Sequence, residues 1–246
     1  PENIHSGWIC ALNKNKKVVY KKGNISDYAF LRSITKPIQA IQTLNSKIKI
    51  TPKELAIICG SHTGSSKHLD ILKTFIKKNN LNIKDLKCGT HPPSDEIERK
   101  LLILKSKSPI VLHNNCSGKH LGMLSVCKKN HYNLKDYLNP SHPLQESILN
   151  SIKELSETKD ILLATDGCSL PTFALPIINI GFLFSNFTLD KRYKEITEAM
   201  SLNPFYTGGK NQIDTEIMTI SKGKLISKVG ADGIIMVSYE GNSLIV

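Results

Sequence analysis

The sequence predicts an α/β (α+β) protein: an antiparallel sheet built from both ends of the chain, flanked by helices from its middle. Two patterns carry this. Strand-like segments lie near both ends, at residues 8–12, 17–20, 224–229 and 233–239. Between them apolar residues recur at helical spacing. A length of 246 residues with 40% hydrophobic and 22% charged content suits one soluble globular domain spanning residues 1–246.

The first two strands flank the turn Asn13-Lys14-Asn15-Lys16 and read as a hairpin. Ile34, Ile38, Ile41 and Leu44 give a helical stripe over residues 33–44, with Pro37 placing the regular helix after a short entry. Thr51-Pro52-Lys53-Glu54 carries a capping residue, a first-turn proline and a capping-box glutamate, so a helix starts there. Leu69, Leu72, Phe75 and Ile76 mark another from residue 65 or 66. Ile110-Val111-Leu112 reads as a short buried strand or an extended lead-in. It runs into the polar segment 113–120, after which Leu121, Leu124 and Cys127 continue a helix. Ser141-His142-Pro143 opens a helix whose apolar face is Leu144, Ile148, Ile152 and Leu155. Residues 161–164 read as a strand, and 191–200 and 214–220 as two more helices.

The formal net charge is +12, a balance compatible with a nucleic-acid partner. The positive charge is nearly all lysine, scattered along the chain, and aromatic content is 6%, too low for a base-stacking surface. A small-molecule substrate and no nucleic acid is the better reading. No apolar run reaches the roughly 20 residues of a membrane span; the longest, near 170–184, is broken by Pro171, Pro176, Asn179 and Gly181. Six widely spaced cysteines fit a reducing, cytoplasmic setting better than a disulfide framework. The chain opens on proline rather than methionine, without a signal peptide, so its extreme N-terminus is expected to lie outside it.

Four segments bear chemistry. In Arg32-Ser33-Ile34-Thr35-Lys36, the Ser-x-x-Lys spacing puts a hydroxyl and an amine on one helical face. A buried lysine with a lowered pKa can take the serine proton; the alternative is a helix cap and a solvated lysine. Cys59-Gly60-Ser61-His62-Thr63-Gly64 supplies a second hydroxyl and an imidazole, or merely a polar turn. In His113-Asn114-Asn115-Cys116-Ser117-Gly118-Lys119-His120, Cys116 and Lys119 share a face at a helix start. Cys116 and Cys168 are either two zinc thiolates or two buried thiols. Thr165-Asp166-Gly167-Cys168 exposes a carboxylate after a strand, where Asp166 could hold a substrate's α-ammonium, or is a plain Asp-Gly turn.

Together these segments resemble the rhizobial-type, thermolabile L-asparaginase II family. The likeness extends through Cys88-Gly89-Thr90-His91-Pro92, Leu138-Asn139-Pro140-Ser141-His142-Pro143, Asp214-Thr215 with Met218, and Lys228-Val229-Gly230-Ala231-Asp232-Gly233. It implies a serine β-lactamase/glutaminase-like fold, a homodimer, and hydrolysis of L-asparagine to L-aspartate and ammonia. It also implies two Ser–Lys pairs, Ser33 with Lys36 and Ser61 with Lys228, and a zinc held by Cys116, Lys119 and Cys168. Ser33 is the expected nucleophile; Arg32, His62 and Asp166 are expected to line the substrate pocket. A glutaminase, a β-lactam-reactive acyl transferase, a basic nucleic-acid binder and a non-catalytic zinc protein are the competing readings. Two departures stand out. Gln212 occupies a position where the family commonly has arginine. The chain also ends soon after the Lys228 segment, where family members continue with a strand and a helix; a sheet without that strand would expose an edge.

Overall fold

A computed structural model describes residues 2–246. The N-terminal hairpin forms as expected from β1 (Ile9–Leu12) and β2 (Val18–Lys22). Its turn is closed by Asn13, whose Oδ1 accepts from the Asn15 and Lys17 amides. β3 (Tyr28–Phe30) follows, then a 3-10 turn over Arg32–Thr35 leading into α1 (Lys36–Asn45). α2 (Pro52–Ile58) starts on the expected capping box: Thr51 Oγ1 accepts from the Glu54 amide and the Glu54 carboxylate accepts from the Thr51 amide.

α3 (Ser66–Lys78) buries Leu69, Leu72 and Phe75. α4 (Glu96–Leu104) buries no residue. Residues 110–112 do not form a strand. Ile110 is extended and Val111–His113 make a 3-10 turn, closed because the Ile110 amide donates to His113 Nδ1 and the His113 amide to the Ile110 carbonyl. α5 (Ser117–Lys129) is buried along most of its length. α6 (Pro143–Ser156) has His142 as its cap. β4 (Leu162–Thr165), β5 (Pro171–Pro176) and α7 (Ile177–Leu189) come next. α8 (Lys194–Leu202), the short α9 (Pro204–Thr207) and α10 (Ile213–Ile220) precede β6 (Ile226–Val229), β7 (Ile235–Tyr239) and β8 (Asn242–Ile245).

The strands form two antiparallel sheets, in the orders β2-β1-β8-β7-β6 and β3-β5-β4. Both chain ends therefore meet in the first sheet, where β8, not foreseen as a strand, pairs between β1 and β7. The expected mixed fold with an antiparallel sheet and flanking helices is what forms. α7 lies against β1, β7 and β8, and its Ile180, Leu183, Phe184 and Phe187 are buried in the same core as Cys10, Leu12, Met236 and Ile245. Burying four such side chains contributes on the order of 2 kcal/mol each before entropy is charged. Two glycines set the approach of α5 to α2. A Cβ on Gly118 would lie 2.5 Å from the Ile57 carbonyl oxygen, so α5 can press on α2 only with hydrogen there. A Cβ on Gly122 would likewise lie 2.8 Å from the Ile58 side chain. That contact brings the starts of α1 and α5 and the end of α2 to one place. Among the described residues no helix is long and apolar enough to cross a membrane.

Candidate active site

Lys36 opens α1 and is fully buried. Its Nζ lies 2.7 Å from the Gly60 carbonyl, 3.2 Å from the Asn115 carbonyl and 2.8 Å from Ser61 Oγ. A neutral amine has two N–H donors and one lone pair. The two carbonyls take the donors, so the lone pair faces the Ser61 hydroxyl. Burial, the largest influence, lowers the Lys36 pKa to about 8; the charges of Lys119 and Lys228 push the same way and those of Cys116 and Cys168 oppose them.

The pairing differs from the one expected. Ser33 sits half-buried on the 3-10 turn, and its hydroxyl makes no hydrogen bond with Lys36. Lys228 does not reach Ser61. Its Nζ donates to Asp214 Oδ2 at 3.0 Å and to the Val229 carbonyl at 2.8 Å. Ser61 is fixed through its backbone, whose amide donates to the Thr207 carbonyl at 2.8 Å. Gly60 permits this approach: a Cβ there would lie 2.3 Å from the Thr207 oxygen.

His62 is not a pocket residue. It is wholly buried, with Nε2 2.9 Å from Ser117 Oγ and Nδ1 accepting from the Gly64 amide. Ser117 Oγ in turn donates to the Leu112 carbonyl, so Nε2 is the protonated nitrogen. Desolvation first, then nearby cations and imidazoles, hold His62 well below the ordinary histidine pKa. It is a neutral strut tying the Ser61 loop to the start of α5.

Cys116 caps α5, with its amide held by Asn114 Oδ1 at 2.8 Å. The Asn114 amide group reaches back to the Cys88 carbonyl, and His91 Nε2 accepts from the Asn115 amide. These two residues, given no role in the sequence reading, hold the carbonyl that Lys36 uses. The neighbouring Cys168 side chain outweighs burial and holds the Cys116 thiol well below its usual pKa; Lys36 and Lys119 add to this. The neighbouring Cys116 side chain and burial push the Cys168 thiol up. Lys119 is buried. Desolvation opposes its charge, but Cys116, Cys168 and Asp166 outweigh that and raise its pKa.

Asp166 joins the two halves of the site. Its Oδ2 lies 3.8 Å from Lys119 Nζ and accepts from Cys168 Sγ at 3.7 Å. Its Oδ1 lies 2.9 Å from Arg32 Nε as an ion pair, without the alignment of a hydrogen bond. Burial works against the Asp166 carboxylate, but Lys119, the Gly167 amide and Arg32 prevail and lower its pKa. Arg32 also donates to Asp232 Oδ2 at 2.6 Å. Arg32, Ser169 and Asp232 all have left-handed backbones, with φ of 46°, 69° and 63°. Non-glycine residues so placed carry strain of about 1–3 kcal/mol each, and such strain gathers at functional sites.

Among the described residues no three His, Cys, Asp or Glu side chains are grouped to hold a metal. The expected set contains a lysine. Its donors lie together: Lys119 Nζ and Cys168 Sγ both approach Asp166 Oδ2, at 3.8 and 3.7 Å, and the Cys116 thiol is close enough to both to be influenced by them. Two sulfurs and an amine fit a tetrahedral zinc shell once Lys119 gives up a proton.

A buried amine aimed at a serine hydroxyl, beside an Arg–Asp pair, is an arrangement in which the amine can accept the hydroxyl proton. The chain belongs to the L-asparaginase II family, whose model matches residues 1–246. No curated protein matches it. Among solved structures it is similar to a β-lactamase from Mycobacterium bovis, at 10% identity and a TM-score of 0.45, over 97% of this chain and 85% of that one.

Proposed function

We propose that the protein hydrolyses the side-chain amide of L-asparagine to L-aspartate and ammonia through an acyl-enzyme on Ser61, with Lys36 as the base. The observation that carries this is the Lys36 amine, buried and shared between two carbonyls, 2.8 Å from Ser61 Oγ. Lys36 takes the Ser61 proton as Oγ bonds to the carboxamide carbon. The resulting ammonium returns that proton to the amide nitrogen, the C–N bond breaks and ammonia leaves. Lys36 then takes a proton from water, which attacks the ester, and returns it to Ser61 Oγ as aspartate departs. Ser33, one turn before Lys36, supplies a second hydroxyl to the same pocket. Arg32 holds the substrate's α-carboxylate and Asp166 its α-ammonium. Cys116, Lys119 and Cys168 would hold a zinc, which would supply a Lewis-acidic centre beside the pocket. A homodimer in a reducing cytoplasm belongs to the same reading; it is supported by the family and by six free, buried cysteines.

The test is ammonia release from L-asparagine and L-glutamine, beside nitrocefin hydrolysis, by wild type, Ser61→Ala and Ser33→Ala. Asparagine should be the preferred substrate. Ser61→Ala should lose about a thousandfold or more in kcat, and Ser33→Ala less. A dead Ser33→Ala beside an active Ser61→Ala would move the nucleophile to Ser33. Preference for glutamine or nitrocefin would replace the substrate.

A further inference from the structure

Asp214 lies outside every role assigned so far, yet it is fully buried and faces a fully buried lysine. Three donors converge on its carboxylate. Lys228 Nζ reaches Oδ2 at 3.0 Å, the Val229 amide reaches Oδ2 at 3.3 Å, and the Thr215 amide reaches Oδ1 at 3.0 Å. The chain makes room for this. A Cβ on Gly208 would lie 2.5 Å from Asp214 Oδ1 and 2.4 Å from Thr215 Oγ1. Gly208 directly follows Thr207, the residue that accepts the Ser61 amide. Lys228 is on β6, which packs against the 3-10 turn bearing Ser33. A buried ion pair is a weak source of stability, because desolvating two charges offsets most of their attraction. Its retention here calls for another reason.

We propose that Asp214 is a positioning residue: it anchors Lys228 as a fixed cation beneath the Ser33–Lys36 turn, leaving Lys36 alone to take the Ser61 proton. This rests on the amidohydrolase reading and deepens it, since it divides the two lysines between different tasks. Lys228 turns its Nζ to Asp214 and the Val229 carbonyl and makes no hydrogen bond with Ser61. Its charge favours the alkoxide forming on Ser61 and keeps Lys36 from being protonated in its place. The family resemblance implies a pairing of Lys228 with Ser61; the buried carboxylate reassigns it.

The test compares wild type with Asp214→Asn, Lys228→Met and the double variant. Two rates are read: ammonia release from L-asparagine, and labelling of the site serine by a fluorophosphonate probe, which needs no amide substrate. Asp214→Asn should lower kcat and the labelling rate by about tenfold or more, with KM within about twofold. Lys228→Met should do the same. Because the two residues act as one unit, the double variant should label at the Lys228→Met rate rather than at the product of the two losses. Should Asp214→Asn not fold, the double variant, which carries no buried charge, is compared with Lys228→Met instead. Wild-type labelling rates in Lys228→Met or Asp214→Asn, or losses that multiply, overturn the assignment. A wild type that labels but releases no ammonia removes the substrate reading and leaves this inference to the labelling rates. A wild type that does neither removes both.

Discussion

Lys36 Nζ and Ser61 Oγ stand 2.8 Å apart although 25 residues separate them in the chain. The contact depends on two backbone carbonyls from different segments, those of Gly60 and Asn115, which fix the direction of the amine. A lysine held this way should show itself by pH. Its folded pKa is lowered to about 8 from 10.5. As base it must be neutral, so kcat/KM should rise with pH and level off above about 8.

The same shift predicts a stability effect. Above pH 10.5 the lysine is neutral in both states. As pH falls from 10.5 toward 8 the unfolded chain takes up the proton first, and the folded state loses stability. Below 8 the loss is complete, about 3 kcal/mol. Lys36→Met lacks this titration. Urea unfolding at pH 7.5 and 9.5 should therefore show wild type gaining on Lys36→Met as pH rises. A constant gap between the two proteins would mean that the amine is solvated.

Gly60→Ala should damage the site without touching its chemistry. The added methyl meets the Thr207 oxygen at 2.3 Å, and that oxygen holds the Ser61 amide. The backbone must separate to admit it. The expected cost is about 1–3 kcal/mol of stability, with a fall in kcat greater than that of Gly167→Ala, where a Cβ meets nothing within 4 Å. Thermal midpoints and ammonia assays on the two variants check this.

Much of the fold was legible because its signals are local. The Thr51–Glu54 capping box and the faces of α1, α3 and α6 need only residues three or four apart, and they form as read. β5 and α7 were not, because Pro171–Leu189 is apolar nearly throughout and shows no period when buried on several sides. β8 has the short pattern Asn242–Ile245 and becomes a strand only by pairing with both β1 and β7. In the site, residue types were legible and partners were not. Ser-x-x-Lys suggests that neighbours in sequence pair. A lysine side chain is long enough to reach past its own turn, and here it finds Gly60, Ser61 and Asn115 instead. His62 looked like a ligand-binding group beside Ser61, but folding turns it inward to Ser117. Asp214 left only the trace of a matching Asp-Thr pair, since its partner Lys228 is 14 residues on.

The zinc proposal predicts a dependence on both thiols. Cys116→Ser and Cys168→Ser should each lower bound zinc well below wild type after dialysis against a zinc-buffered solution, read by elemental analysis. Cys10→Ser, in β1 and outside the proposed zinc set, should keep the wild-type amount. Equal zinc in all four proteins would place the metal elsewhere.

Asp166 offers a test of substrate orientation that does not depend on the metal. If its carboxylate receives the α-ammonium of asparagine, Asp166→Asn should raise KM for asparagine by about tenfold. It should leave KM for succinamic acid, which has the same amide and carboxylate but no amino group, within about twofold. The comparison matters because Asp166 also pairs with Arg32 and lies 3.8 Å from Lys119. Loss of those contacts would loosen Arg32 and weaken both substrates alike, through their shared carboxylate. An equal rise in KM for the two compounds therefore assigns Asp166 to holding Arg32, and a selective rise assigns it to the ammonium.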